Sequence, residues 1–241
     1  MKKMEKNNPE DLREKITFFK PRTLASIILF AAGLLIATAA SSQAAPLSLE
    51  QLIGRMQSTY DRTSDLKATF IQDVTIKSLK KTDHEEGTVY FKNPKRMHWS
   101  YEKPKAKKLI INPQKAWLYV PDDHAVYIQD AGKIYKSRMA VRFLSGIGKL
   151  KADFKISFSQ PSTDARGHHL LTLVPKASDL GVDKLYLTVD KDNLQIIECR
   201  FTDMYGNTTR IQFRNMKINT GVPEQMFTFK PPAGVEVMKM P

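Results

Sequence analysis

The stretch Gly87-Thr88-Val89-Tyr90-Phe91-Lys92-Asn93-Pro94-Lys95-Arg96-Met97-His98-Trp99-Ser100-Tyr101 carries the pattern that decides the fold. Gly87 to Phe91 and Arg96 to Tyr101 are two runs rich in β-branched and aromatic residues, parted by the turn signal Asn93-Pro94. In the second run Met97, Trp99 and Tyr101 fall on one side and Arg96, His98 and Ser100 on the other. That period of two belongs to a strand with one buried face.

The same reading extends in both directions. Upstream, Leu66, Ala68, Phe70 and Gln72 alternate with polar neighbours. Downstream, 108–112, 116–120 and 125–129 are short strands bounded by Asn, Pro or Asp. Further strands are expected over 154–158, 168–174, 184–190, 195–201 and 208–218. Two segments break the alternation. Residues 47–60 read as a helix, with Ser48 and Gln51 spaced as a capping box and Leu49, Leu52, Ile53, Met56 and Tyr60 on one face. Residues 135–144 suit a second helix whose face carries Phe143 and Leu144.

The expected fold is mainly β with some α, an antiparallel sheet of many strands with a few helices. Val89, Phe91, Met97, Trp99, Tyr101, Leu109, Ile111, Trp117 and Tyr119 are placed together on one face. A sheet curling into a barrel or half-barrel would gather them on its concave side, either as a packed core or as the wall of a ligand cavity.

The N-terminus has a different character. Met1 to Arg22 is basic on balance, Leu24 to Thr38 is apolar apart from Ser26 and Gly33, and Ser42-Gln43-Ala44 offers small residues around a cleavage point. This is the layout of a secretory signal peptide over residues 1–44, with a single domain over 45–241 and a periplasmic destination. An uncleaved anchor is the other reading, for which the apolar run is short. No Cys stands at the cleavage point to carry a lipid, and the chain's one cysteine, Cys199, sits in an apolar strand pattern that suits a packed thiol. Without the seven basic and four acidic residues of 1–44, the remainder keeps 31 basic and 21 acidic side chains, a net of +10. For an exported protein such a charge points to an anionic membrane surface or an acidic protein, not to nucleic acid, or simply to solubility.

Catalytic signatures are missing from the sequence. His168 and His169 are adjacent and would face opposite sides of a strand, and no HExxH, spaced Cys/His set, nucleophile elbow or Gly-rich phosphate loop occurs. Asp122-Asp123 and Asp190-Lys191-Asp192-Asn193 read as turn chemistry. Neither an enzyme nor a cofactor or metal site is expected.

Several segments, in order, resemble the periplasmic outer-membrane lipoprotein carrier proteins. They are 66–72 (LKATFIQ), 87–91, Asn93-Pro94, Trp99-Ser100-Tyr101, Pro104, 171–176 (LTLVPK), 203–208 (DMYGNT) and 227–235 (FTFKPPAGV). The resemblance implies an unclosed antiparallel barrel with an α-helical lid over an apolar cavity. It implies a monomer that uses no cofactor, and three partners: lipoprotein acyl chains, an ATP-driven release complex in the inner membrane, and a receptor at the outer membrane. Trp99 and Phe70 match family positions. With them, Val89, Phe91, Met97, Tyr101 and Trp117 are candidate cavity residues, and Phe143 and Leu144 candidate lid contacts. Related folds also leave room for a carrier of another lipid, or for a lipoprotein-sensing regulator. One departure stands out. The family's lid latch is an Arg before the proline that here is Pro94, and this chain has Asn93 there.

Overall fold

The computed structural model describes residues 47–137, 150–176 and 181–239. The expected leader, Phe143 and Leu144 lie outside these residues. Twelve strands are present: β1 (Asp65–Ile76), β2 (Lys81–Lys92), β3 (Arg96–Lys103), β4 (Lys107–Ile111), β5 (Lys115–Val120), β6 (Ala125–Asp130), β7 (Phe154–Thr163), β8 (His169–Pro175), β9 (Val182–Val189), β10 (Ile196–Asp203), β11 (Thr208–Ile218) and β12 (Glu236–Lys239). Helices α1 (Leu49–Asp61), α2 (Ala131–Ser137) and α3 (Leu150–Asp153) accompany them, with short 3-10 turns at Pro121–Asp123 and Glu224–Phe227.

All strands belong to one sheet, in the order β12-β6-β5-β4-β3-β2-β1-β11-β10-β9-β8-β7. It is two antiparallel meanders, β1–β6 and β7–β11, joined where β11 returns alongside β1 with Phe70 opposite Phe213. Only β12 runs parallel to its neighbour, β6. The sheet is not closed, and β12 and β7 are its edges.

One face is apolar across both wings. Phe158, Leu171, Leu187, Cys199 and Ile211 form a register row over β7–β11. Leu66, Phe91, Met97, Ile111 and Ala116 form another over β1–β5. Each wing is covered by a helix. The stripe of α1 buries Leu52, Ile53 and Met56 against Leu171, Leu173, Leu185 and Leu187. Each such side chain contributes about 2 kcal/mol when removed from water. The start of α1 is fixed as the sequence predicts: Gln51 N donates to Ser48 Oγ at 3.2 Å, and Ser48 N donates to Gln51 Oε1 at 3.0 Å. At its end the Tyr60 hydroxyl accepts from Ile196 N of β10 at 3.2 Å. Burial there pushes the phenol pKa up to about 12. On the other wing, Ala131 and Ile134 of α2 join the cluster of Phe70, Val89, Met97 and Trp99. A helix begins at Ala131, four residues ahead of the expected Tyr135, behind Asp130, whose Oδ1 accepts from Gly132 N at 2.8 Å, and residues 138–144 of the expected helix lie outside the described residues.

Cys199 is fully buried and its thiol is pushed up to about 12 by desolvation, with a smaller push from Glu198, so it is an inert packing group. The acidic turns are structural too. Asp190 Oδ1 accepts from Asp192 N and Asn193 N, and Asp203 Oδ1 from Tyr205 N and Asn207 N.

Candidate functional site

The apolar inner face of β1–β4 and β11 concentrates aromatic rings around Trp99. Strand pairing sets them side by side: Val89 faces Trp99, Gly87 faces Tyr101, and Phe91 faces Met97. Gly87 is required by the closeness of β3, since a Cβ added there would sit 2.0 Å from the Ser100 carbonyl oxygen. The missing side chain leaves Phe70 free to reach across. Its ring meets Trp99 edge-on with centroids 4.6 Å apart, and Tyr101 edge-on at 5.0 Å. Phe91 approaches Trp99 edge-on at 6.1 Å, and Phe213 approaches it at 6.2 Å. Phe70, Val89, Met97 and Trp99 are buried, while Phe91 and Tyr101 are half-buried at the margin of the cluster. Edge-to-face pairs of this kind add to plain burial and hold the rings in one arrangement.

A polar rim borders the wall. The Tyr101 hydroxyl reaches Gln72 Oε1 at 3.5 Å, Gln72 Nε2 donates to Glu85 Oε2 at 3.1 Å, and Lys107 Nζ donates to Glu85 Oε1 at 2.5 Å. The Lys107 ammonium also sits 4.3 Å from the Tyr101 ring centroid. The rim therefore presents fixed, internally neutralised charge beside an apolar surface.

Trp117 does not join this wall, which corrects the one-face expectation. The turn between β4 and β5 pairs Ile111 with Ala116, so Ala116 faces inward and Trp117, opposite Ile110, faces out. Tyr119 follows the same parity. Both pack on the outer face with Ile110, Val126, Ile128, Phe229 and Val235, under the C-terminal segment. Alternation fixes which residues of a strand share a side. It does not fix which side is inside, and in β5 the larger side chains are the outer ones.

The outer face holds a second feature that sequence patterning left unassigned. His98 is buried there, its Nδ1–H donates to the Met226 carbonyl at 2.9 Å, and its Nε2 has no partner. Burial, helped by nearby Lys108 and opposed by the Met226 bond, holds its pKa below the ordinary 6.5, so the ring is a neutral clamp on the C-terminal segment. Glu224 of that segment pairs with Lys92 at 3.1 Å and with Arg96 at 2.8 Å. Arg96 is thus committed to the outer face. Asn93, at the family's latch position, instead donates its side-chain amide to the Thr63 carbonyl beside the exit from α1.

Among the described residues no three His, Cys, Asp or Glu side chains lie together in a way that could hold a metal ion. The site is thus a one-sided aromatic wall on an unclosed, mainly antiparallel sheet with helices over the same face. The chain belongs to the family described as outer membrane lipoprotein carrier protein LolA, whose model matches residues 61–230. It is 30% identical over 176 residues to an outer-membrane lipoprotein carrier protein of Dechloromonas aromatica, covering 73% of this chain and 82% of that one. It is also 30% identical over 183 residues to one of Methylobacillus flagellatus, covering 76% and 86%. A solved structure of an uncharacterized conserved protein of Thermus thermophilus shares the fold, with a TM-score of 0.51 at 12% identity over 80% of this chain and 100% of that one.

Proposed function

We propose that the protein is a periplasmic carrier that binds the acyl chains of lipoproteins, takes them from an ATP-driven release complex in the inner membrane and passes them to a receptor at the outer membrane. The observation that carries this reading is the aromatic wall on the inner face of an unclosed sheet, in a chain of the lipoprotein carrier family. Its cargo wall is Phe70, Val89, Phe91, Met97, Trp99 and Tyr101. The action is binding and release, without catalysis or a cofactor.

The physics suits the role. Each methylene buried in a bilayer is worth about 0.8 kcal/mol, so a protein with two or three acyl chains cannot cross water unaided. A carrier must offer apolar surface and hide it when empty. Helices lying on the same face as the wall do that. No helix of the described residues is long and apolar enough to cross a membrane. Residues 1–44 act as a cleaved export signal and 45–241 as the carrier domain.

Native mass spectrometry of the protein purified from the periplasm tests the cargo. A complex with the mass of an acylated lipoprotein is expected. Adducts of glycolipid or phospholipid alone, with no lipoprotein at any expression level of cargo, would replace this reading with carriage of a free lipid.

A further inference from the structure

Two hairpin tips lie side by side at one end of the sheet. The β1–β2 tip runs through Lys77, Ser78, Leu79 and Lys80, and the β10–β11 tip through Met204, Tyr205, Gly206 and Asn207. They adjoin because β1 pairs with β11 up to Thr75 opposite Thr208. Lys77 N donates to Asn207 Oδ1 at 3.1 Å. The Lys77 side chain lies across Gly206, so close that a Cβ built there would stand 2.7 Å from Lys77 Cδ. The second tip is internally braced by Asp203, which accepts from Tyr205 N, Asn207 N and the Asn207 side-chain amide at 2.8–2.9 Å. These are ordered turns held against each other.

What they present to solvent does not serve folding. Leu79 is 67% exposed, Met204 73% and Tyr205 77%, the three most exposed large apolar side chains among the described residues. Around them Lys77, Lys80 and Lys81 are also exposed. Nearby acids offset part of this charge and leave Lys77 and Lys80 as the lysines of the tip outside any ion pair among the described residues. Asp83 pairs with Lys81 at 2.6 Å, and the Asp203 carboxylate is taken up by its own turn. Large apolar side chains beside the ammonium groups of Lys77 and Lys80, on exposed hairpin tips, match the interface of a bilayer with anionic headgroups. Lysines meet phosphates, tyrosine settles at headgroup depth, and aliphatic side chains reach the acyl boundary.

The geometry points to the two adjoining hairpin tips as a docking site for an anionic lipid bilayer, with Leu79, Met204 and Tyr205 entering the headgroup–acyl boundary and Lys77 and Lys80 contacting phosphates. This goes beyond the carrier reading and needs no cargo. It gives the protein a way to orient at a membrane surface independently of any receptor.

Vesicle flotation of the purified cargo-free protein tests it at low ionic strength. More protein should float with vesicles of mixed phosphatidylglycerol and phosphatidylcholine than with phosphatidylcholine alone. The triple change Leu79→Ser, Met204→Ser, Tyr205→Ser should cut the bound fraction by about fivefold or more, and Lys77→Glu with Lys80→Glu should do the same. A charge control, Lys217→Glu with Lys230→Glu at exposed positions off the tips, should float like the parent. All changed side chains are solvent-facing, so a matching melting temperature certifies each variant as folded. The proposal is overturned if the parent does not bind anionic vesicles, if the triple variant binds as well as the parent, or if the charge control loses as much as the tip variants. Capture of a membrane protein by a crosslinker at Leu79 with no vesicle binding would likewise overturn it in favour of a protein partner. None of these outcomes bears on whether the inner wall binds acyl chains.

Discussion

Replacing Phe70 with Ala is expected to lower the free energy of unfolding by about 4 kcal/mol, read as a shift in the urea midpoint at unchanged slope. Phe70 is 1% exposed and stands where the two wings of the sheet join, opposite Phe213 on β11 and Gly87 on β2. Its ring is the hub on which Trp99 and Tyr101 both pack edge-on. Ala removes the buried ring and leaves a void that collapses poorly, because the neighbouring rings of Trp99 and Tyr101 are carried on a strand fixed by ladders on both sides. Phe70→Leu keeps most of the volume and should cost about 1–2 kcal/mol. If Phe70→Ala lost under 1 kcal/mol, the ring would be lying in a soft or open region and not in the packed hub described above.

Asp65→Ala is expected to be nearly as damaging, at about 3 kcal/mol, because it removes a buried carboxylate on which three hydrogen bonds from the Thr220-Gly221 segment converge. Asp65 is 4% exposed. Its Oδ1 accepts from Thr220 N at 2.8 Å and from the Thr220 hydroxyl at 3.2 Å, and its Oδ2 accepts from Gly221 N at 3.1 Å. The same junction carries Asn219, whose side-chain oxygen accepts from Ser64 N at 2.8 Å. Together they fix where the chain leaves β11 and crosses to the outer face. Burial alone would raise the Asp65 pKa, but the N–H groups of Thr220, Gly221 and Val222 and the Thr220 hydroxyl outweigh it and hold the carboxyl below its ordinary 3.8. A depressed folded-state pKa means the contribution is fully present above the unfolded value and is lost as pH falls through the folded one. The gap between parent and variant should therefore be constant from neutral pH down to about pH 5 and narrow only below about pH 4. A gap that closes near pH 6 would assign the effect to another group, His98 being the nearest candidate by its ordinary pKa of 6.5.

The strands were legible because their inner residues are apolar and their outer ones polar, as in Met97-His98-Trp99-Ser100-Tyr101. The same logic placed α1, whose capping box and apolar stripe are both local. It failed where both faces of a strand are covered. In β5 the C-terminal segment buries the outer side, so Trp117 looked like wall and is not. Strand β12 was missed because four residues, Glu236–Lys239, carry little periodicity and form only by pairing with β6. Asp65 was missed for a related reason. A single Asp before a strand reads as turn chemistry, and its partners lie 155 and 156 residues away. The aromatic wall itself was visible as strand patterning, while its meaning came from the family segments and not from any one residue.

The central claim is that the inner face, and not the outer one, meets acyl chains. Trp99 and Trp117 offer a matched pair for testing it, the same side chain on opposite faces of neighbouring parts of the sheet. A photo-crosslinking amino acid placed at each position in cells, followed by irradiation and detection of lipoproteins bearing their acyl chains, reads the two faces separately. The account predicts lipoprotein adducts from position 99 and none from position 117. Adducts from 117 alone, or none from 99 in a protein that melts like the parent, would contradict it.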